Sequence, residues 1–151
     1  MTPDVIEKDI LINAPAAVVY RVITEPDQIS QWFSDAAVLD PVPGGLGRLT
    51  FEDRATTRRV TVNLTVEAAE PPSRFAFRWD NPDGEETTEA NSLRVEFTLV
   101  TEGTGTRLRV TESGFAALRW PDEEKASYYE AHDKGWDAHL ASLQGYVTER
   151  P

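Results

Sequence analysis

Apolar and polar residues alternate along most of the chain between residues 36 and 113. Because successive side chains of a β-strand point to opposite faces, a repeat of two predicts strands that are apolar on one face only. The apolar positions of the clearest runs are Val60, Val62, Leu64 and Val66, then Phe75, Phe77 and Trp79, then Leu93, Val95, Phe97 and Leu99, and finally Leu108 and Val110. The residues between them are mostly polar, so we expect one solvated face and one covered face.

Turn-forming residues separate these runs. Clusters of proline and glycine interrupt the pattern at residues 41–45, 71–72, 81–84 and 103–105. Such clusters mark tight turns between antiparallel strands. The glycines at positions 44, 45 and 47 lack the lysine and the helix of a phosphate-binding loop, so we interpret them as a β-turn that leads into a strand. The pattern predicts a meander of five or six antiparallel strands.

The N-terminal region predicts one strand and two short helices. Residues 5–13 have the composition of an edge strand. Asn13 is placed to cap a first helix that has Pro15 in its first turn and ends near Thr24. Pro26 starts a second helix. The apolar face of that helix consists of Ile29, Trp32 and Phe33.

The C-terminal residues predict one long helix that ends near residue 148. Pro121 and Asp122 mark its start, and the acidic residues that follow suit the positive end of the helix dipole. Its apolar stripe comprises Tyr128 or Tyr129, His132, Trp136, Leu140, Leu143 and Val147. Gly135 lies mid-helix, where glycine costs about 1 kcal/mol relative to alanine. We therefore expect another segment to pass close to the backbone there.

These elements together predict an α+β domain with a helix-grip arrangement. A curved antiparallel sheet wraps around the long C-terminal helix, and two short helices follow the first strand. A chain of 151 residues suits one domain and can bury roughly 70% of its unfolded surface. We therefore assign residues 1–151 to a single domain.

Composition narrows the classes of function. With 26 acidic and 15 basic residues, the net charge of −11 repels nucleic acids and anionic lipids, so we expect neither as a partner. The chain has no cysteine and two histidines, so we expect no disulfide, no metal and no cofactor. The N-terminal residues lack the pattern of a secretory signal. We expect a cytoplasmic protein.

Glu112 is the most informative single residue. Its position continues the parity of Leu108 and Val110, which places its carboxylate on the covered face, where an unpaired charge is costly. The candidate partners are Tyr128, Tyr129 and His132, or an arginine that reaches across the rim. In the alternative interpretation, a bulge at Gly114 turns Glu112 to solvent.

Three other polar residues each have a simpler structural explanation. His132 lies on the apolar stripe of the long helix, where a histidine is more often a satisfied core residue than a catalyst. We expect no role for His139, which falls at the margin of that stripe. Asp53 shares the parity of Leu49 and Phe51 and is a second candidate inward acid, although it is more simply explained as a strand end.

Large aromatic residues crowd the covered face. Each of them can be ordinary core, but together they suggest the lining of an apolar cavity with a few polar anchors. The candidate ligand-binding residues are Trp32, Phe33, Phe51, Phe75, Phe77, Trp79, Phe97, Glu112, Trp120, Tyr128, His132 and Trp136. No catalytic or metal-binding residue is assigned.

Three segments resemble one known family. They are INAPAAVVYRVITEPDQISQWF at residues 12–33, TESGF at residues 111–115 and KGWDAHLASL at residues 134–143. Their order and spacing are similar to those of bacterial homologues of the activator of heat-shock protein 90 ATPase, in the START and Bet v 1-like (SRPBCC) superfamily. The resemblance implies a cavity between sheet and long helix that holds lipids, sterols, polyketides or other apolar molecules.

Three hypotheses of function follow. The first is a binding protein for a small apolar ligand that enters beneath the Trp32–Phe33 helix and the segment 114–122. The second is an enzyme of the aromatase or cyclase type, in which Glu112, His132 and a tyrosine move protons. The third is a partner of a heat-shock chaperone, implied by the family resemblance. The sequence is compatible with a monomer or a homodimer.

Overall fold

The computed structural model describes residues 4–53, 58–81 and 92–149. Its elements, in chain order, are β1 (Val5–Ile12), α1 (Ala16–Thr24), α2 (Pro26–Trp32), β2 (Ala36–Leu39), β3 (Leu46–Asp53), β4 (Arg58–Glu70), β5 (Arg74–Asn81), β6 (Leu93–Glu102), β7 (Gly105–Ser113), a 3-10 turn (Phe115–Ala117) and α3 (Asp122–Glu149). The predicted turn at residues 81–84 lies almost wholly outside the described residues.

Seven strands form one antiparallel sheet in the order β1-β7-β6-β5-β4-β3-β2. The N-terminal strand therefore pairs with the last strand and lies at one edge, while β2 lies at the other. The pairing of β4 with β5 shifts register at two places, and such bulges bend strands. The predicted α+β helix-grip fold is confirmed: a curved sheet holds one long helix.

The predicted parity of the strands is confirmed except at Val60, which was expected on the covered face and is 48% exposed. The inward residues of β5, β6 and β7 are buried, and α3 covers them with Trp136, Leu140, Leu143 and Val147. The outer face carries ion pairs such as those of Glu96 with Arg74 and Arg94. Burial raises the pKa of Glu96, but the hydrogen bonds from these two arginines outweigh it and lower the pKa.

Two details of the helices correct the sequence-based expectations. Asn13 does not cap α1: the residue at the cap is Pro15, and no side chain caps the helix. The carbonyl oxygen of Pro15 instead accepts the N–H groups of Val18 and Val19, so proline stands just before the helix rather than within its first turn. At Gly135, apart from the adjoining residues and backbone of the helix itself, no atom of the described residues lies within 4 Å of the position that a Cβ would take. Within residues 4–53, 58–81 and 92–149, no other segment approaches the helix there, contrary to the expectation.

The two other glycine predictions have different outcomes. Gly44 has a φ of 83° in the turn before β3, which confirms the β-turn interpretation. Gly114, with a φ of 105°, ends β7 one residue after Ser113 and leaves the parity of Glu112 unchanged. No helix within residues 4–53, 58–81 and 92–149 is long and apolar enough to span a membrane.

Candidate functional site

Glu112 lies on the inner face of β7. It pairs in register with Ile6 of β1 and Val95 of β6, both of which are buried apolar residues. The side chain of Glu112 has no exposed surface. The inward orientation that the parity predicted is therefore present, and the alternative of a bulge that turns the residue outward is wrong.

Three side-chain nitrogen atoms surround the Glu112 carboxyl group. The Trp79 Nε1 donates to Oε2 over 2.7 Å, and the Trp136 Nε1 donates to Oε1 over 2.9 Å. The His132 Nδ1 lies 2.8 Å from Oε1. Indole N–H groups can only donate and carboxyl oxygens can accept, so each oxygen of Glu112 has a suitable partner. We call these four residues the carboxylate cage.

The residues of the carboxylate cage come from three elements. Glu112 comes from β7, Trp79 from β5, and both His132 and Trp136 from α3, one helical turn apart. Because residues four apart on a helix share a face, the imidazole and the indole reach the same oxygen. The sequence correctly named His132 as a partner of Glu112, but it missed both tryptophans as donors. Tyr129 instead donates to the carbonyl oxygen of Val5.

A cavity of about 290 Å³ lies beside the carboxylate cage, between α3 and the ends of β3, β4 and β5. Its lining is mostly apolar, with two imidazoles on the helix side. The lining residues are Phe51, Val60, Val62, Trp79, Ala131, His132, Gly135, Trp136 and His139. Gly135 has no side chain, and its missing Cβ leaves part of this space open.

The cavity brings together four of the twelve residues that the sequence proposed for a ligand: Phe51, Trp79, His132 and Trp136. Glu112 lies directly behind them. The other seven lie elsewhere. Trp32, Phe33, Phe75, Phe77 and Phe97 surround a void of about 10 Å³, which holds at most one water molecule. Trp120 and Tyr128 line a separate cleft at the start of α3.

The positions of these residues place the ligand entrance elsewhere than the sequence predicted. The sequence placed it beneath the Trp32–Phe33 helix and the segment 114–122, where the structure has a closed aromatic core and an outer cleft. Phe33 separates that core from the cavity. Its ring stacks on Trp136 at 5.5 Å between centroids and meets His139 edge-on at 4.6 Å. The larger space therefore opens toward β3 and β4 instead.

Sequence reasoning missed several lining residues. Val60 and Val62 were assigned to the covered face but not to a site, and Gly135 was expected to contact a neighbouring segment. His139 was given no role, although it follows His132 by seven residues and so lies two turns along the same helix face. That spacing was the available signal. The orientation of the Asp53 side chain lies outside the described residues.

Burial also changes the acid–base behaviour of His139. Burial lowers its pKa, and the nearby His132 lowers it further, while Glu112 acts in the opposite direction. Neutral imidazole can donate one hydrogen bond and accept another. The cavity therefore has a neutral polar group at the end that lies away from the carboxylate cage.

The protein is expected to lose stability as the pH falls below about 6.5. In the unfolded chain His139 has its ordinary pKa, so it binds a proton that the folded protein takes up only at lower pH. The stabilisation from neutral His139 is complete above the ordinary pKa of the unfolded chain. It declines as the pH falls from that pKa to the lowered pKa of the folded protein. The His139→Asn variant should show a flatter dependence of the urea midpoint on pH. Identical slopes in the two proteins would contradict this assignment, since the other titrating groups cancel in the comparison.

The model of the Activator of Hsp90 ATPase homolog 1-like protein family matches residues 13–148. The chain belongs to this family. Within the Activator of Hsp90 ATPase homolog 1-like family, the segments that first suggested the resemblance supply Phe33, Glu112, Gly135, Trp136 and His139, so they converge on the cavity and its walls. No curated protein matches the sequence.

Solved structures share the architecture of this family member. MLL2253 from Mesorhizobium loti is 20% identical, with a TM-score of 0.78 over 97% of this chain and 98% of that one. The Aha1 dimer from Colwellia psychrerythraea is 18% identical, with a TM-score of 0.72 over 95% of each chain. CalU16 from Micromonospora echinospora is 20% identical, with a TM-score of 0.69 over 96% of this chain and 76% of that one. At these identities the likeness establishes the fold.

Proposed function

We propose that this protein binds a small, mainly apolar ligand in the cavity between α3 and the ends of β3, β4 and β5. The observation that carries the proposal is the contrast between two spaces, one closed in the core and one that opens at the surface beside the exposed Val60. Under α2 the aromatic side chains close the interior to a void of about 10 Å³, whereas about 290 Å³ stays open beside the carboxylate cage. Sites for small ligands are typically concave and mostly apolar with a few polar groups, so the size and lining of this space suggest an occupant.

The size of the cavity limits the ligand. Its volume of about 290 Å³ lies just below the range of about 300–1,000 Å³ that is typical of ligand pockets, which suits a molecule of one or two rings. Burial of about 300 Å² of apolar ligand surface contributes about 7 kcal/mol before the cost of association. Affinity in the micromolar range is the expected consequence.

The polar groups of the lining suggest how the ligand is oriented. His132 and His139 lie two turns apart on α3, roughly 10 Å along the helix axis. The residues between them, Gly135 and Trp136, together with Val62 on the opposite wall, present apolar surface. A flat apolar body with a hydrogen-bonding group at one end or at both ends fits this arrangement.

A second candidate is an enzyme of the aromatase or cyclase type. The contact between Glu112 and His132 favours it, because a carboxylate that orients an imidazole is a common arrangement for general acid–base catalysis. An essential condition for that hypothesis was that the two side chains lie together. The His132 Nδ1 lies 2.8 Å from the Glu112 Oε1.

The Gly135→Leu variant is expected to lose ligand binding without loss of stability. A side chain at this position extends into the cavity, where a Cβ meets no atom within 4 Å. Replacement of glycine inside a helix also gains up to about 1 kcal/mol of helix propensity. Binding of 4-nitroanisole and of naphthalene can be followed through the fluorescence of Trp79 and Trp136. We expect micromolar binding to the native protein and at least a tenfold loss in the variant.

Gly145→Leu is the matched control. Gly145 lies in the same helix, has the same open space around its Cβ position and is absent from the cavity wall. It should gain similar helix propensity and keep the affinity of the native protein. Equal binding by both variants, or no binding of either probe to the native protein, would show that this cavity is not the binding site.

A further inference from the structure

The nitrogen-bearing side chains of the cavity wall differ in their hydrogen bonds. Four lining residues carry such groups: Trp79, His132, Trp136 and His139. The indole N–H groups of Trp79 and Trp136 both donate to Glu112, and the His132 Nδ1 lies 2.8 Å from the same carboxyl group. Each indole has a single N–H. Neither tryptophan therefore has a donor left for a ligand.

His139 has no such partner. Among the residues that the structure describes, its ring makes no hydrogen bond and no ion pair, and its ring contacts are with Phe33, Phe51 and Trp136. In the same part of the chain, the one buried side-chain nitrogen or oxygen that lacks a hydrogen bond is the Tyr20 hydroxyl. The His139 nitrogens therefore keep accessible surface, and because the residue lines the cavity, a ligand there can reach them.

The imidazole of His139 offers one donor and one acceptor. Burial lowers its pKa, and the neighbouring His132 lowers it further, so the ring is neutral at neutral pH. A neutral imidazole has one N–H and one unprotonated nitrogen in either tautomer. A hydroxyl group both donates and accepts, so it pairs with whichever nitrogen faces it. A ketone or an ether oxygen only accepts, and it pairs with the N–H alone.

The charge of the protein disfavours an anionic ligand. The net charge of −11 repels anions. Among the described residues of the cavity wall there is no lysine and no arginine, and an anion without a cationic partner is costly to bury among apolar side chains. A neutral hydroxyl group suits the site better than a carboxylate does.

We propose that His139 anchors the ligand and that the cavity selects neutral apolar molecules that carry a hydroxyl group, such as phenols and naphthols. The hydroxyl group pairs with the imidazole, and the rings of Phe51 and Trp136 contact the apolar body. No covalent bond forms or breaks. This inference rests on the proposed function, because it names the ligand class of the same cavity.

Two probes that differ by one hydroxyl group test the proposal. Calorimetric titration at neutral pH gives the affinities of 2-naphthol and naphthalene for the native protein and for His139→Phe, which has an apolar ring at the same position. The ratio of the two affinities should be about fivefold to tenfold larger in the native protein, since one hydrogen bond is lost in the variant. Equal ratios in the two proteins would contradict the assignment of the anchor.

A spectroscopic measurement on the native protein needs no variant. The chain has two histidines, each with two ring nitrogens, so isotope-labelled histidine gives a simple nitrogen spectrum. Binding of 2-naphthol should shift the ring nitrogens of His139 much further than binding of naphthalene does, because only the naphthol forms a hydrogen bond. If the difference between the two probes appears at His132 instead, the anchor is His132 and the inference is refuted.

These results distinguish a failed anchor from a failed binding site. If both probes bind and the nitrogens of His139 respond to them equally, the cavity is a binding site but His139 is not its anchor. If neither probe binds, both proposals fail. A hydroxyl-dependent shift at His139 supports both, and it does so even where His139→Phe does not fold.

Discussion

Substitution of Glu112 by alanine is expected to lower the free energy of unfolding by about 3–5 kcal/mol. The change leaves the indole N–H groups of Trp79 and Trp136 buried without their acceptor, and each unsatisfied group costs about 1–3 kcal/mol. It also removes the partner of His132 and opens a small void between β1 and β6. Urea unfolding at neutral pH, followed by tryptophan fluorescence, measures the loss.

Glu112→Gln is the control for this prediction. Glutamine keeps the volume and one acceptor oxygen, but its amide group turns a donor toward one of the indole N–H groups. We expect a loss of about 1–3 kcal/mol, smaller than that of alanine. Similar slopes of the unfolding transitions would show that the midpoints report stability. A loss below about 1 kcal/mol in the alanine variant would mean that the carboxylate cage does not exist in solution.

Substitution of Phe33 by alanine is expected to cost about 3–5 kcal/mol and to enlarge the binding site. The Phe33 ring stacks on Trp32, Trp79 and Trp136 with centroid distances of 5.0, 5.5 and 5.5 Å. It also separates the closed void from the cavity, so its removal joins the two spaces. A three-ring probe such as anthracene should gain affinity relative to naphthalene, which fluorescence titration can measure.

Phe75→Ala is the control that separates the loss of stability from the enlargement of the binding site. Phe75 is also buried and lines the closed void, but its ring contacts are with Tyr20 and Phe77 rather than with the cavity wall. It should lose similar stability and show no change in the preference between the two probes. If Phe33→Ala also shows no change in the preference between anthracene and naphthalene, the Phe33 ring does not separate the void from the cavity.

The period of the apolar pattern was enough to predict the fold. Alternation in β4 to β7 and the stripe on α3 each specify one buried face, and only a sheet wrapped on a helix satisfies both. The same parity placed Glu112 inward. The prediction holds because a strand cannot turn one side chain without a bulge, and Gly114 lies after Glu112 rather than before it.

The partners of Glu112 were harder to predict. Trp79 and Trp136 were recognised as inward apolar residues, but their indole nitrogens have no sequence signal that shows where they point. Their direction depends on how far α3 sits along the sheet, and that distance is set by packing between residues far apart in the chain. The same applies to Phe33, which the sequence could place on a helix face but not between two spaces.

The sequence by itself determined the order of the elements, the face that each strand and helix buries, the family and the presence of one inward acid. These features depend on local periodicity and on residue type. Only the tertiary structure decided that the interior is closed under α2 and open beside Gly135, and that His132 and His139 share one cavity. Those features depend on how side chains from distant elements fill a common volume, because close packing is a property of the assembled core and of no single segment.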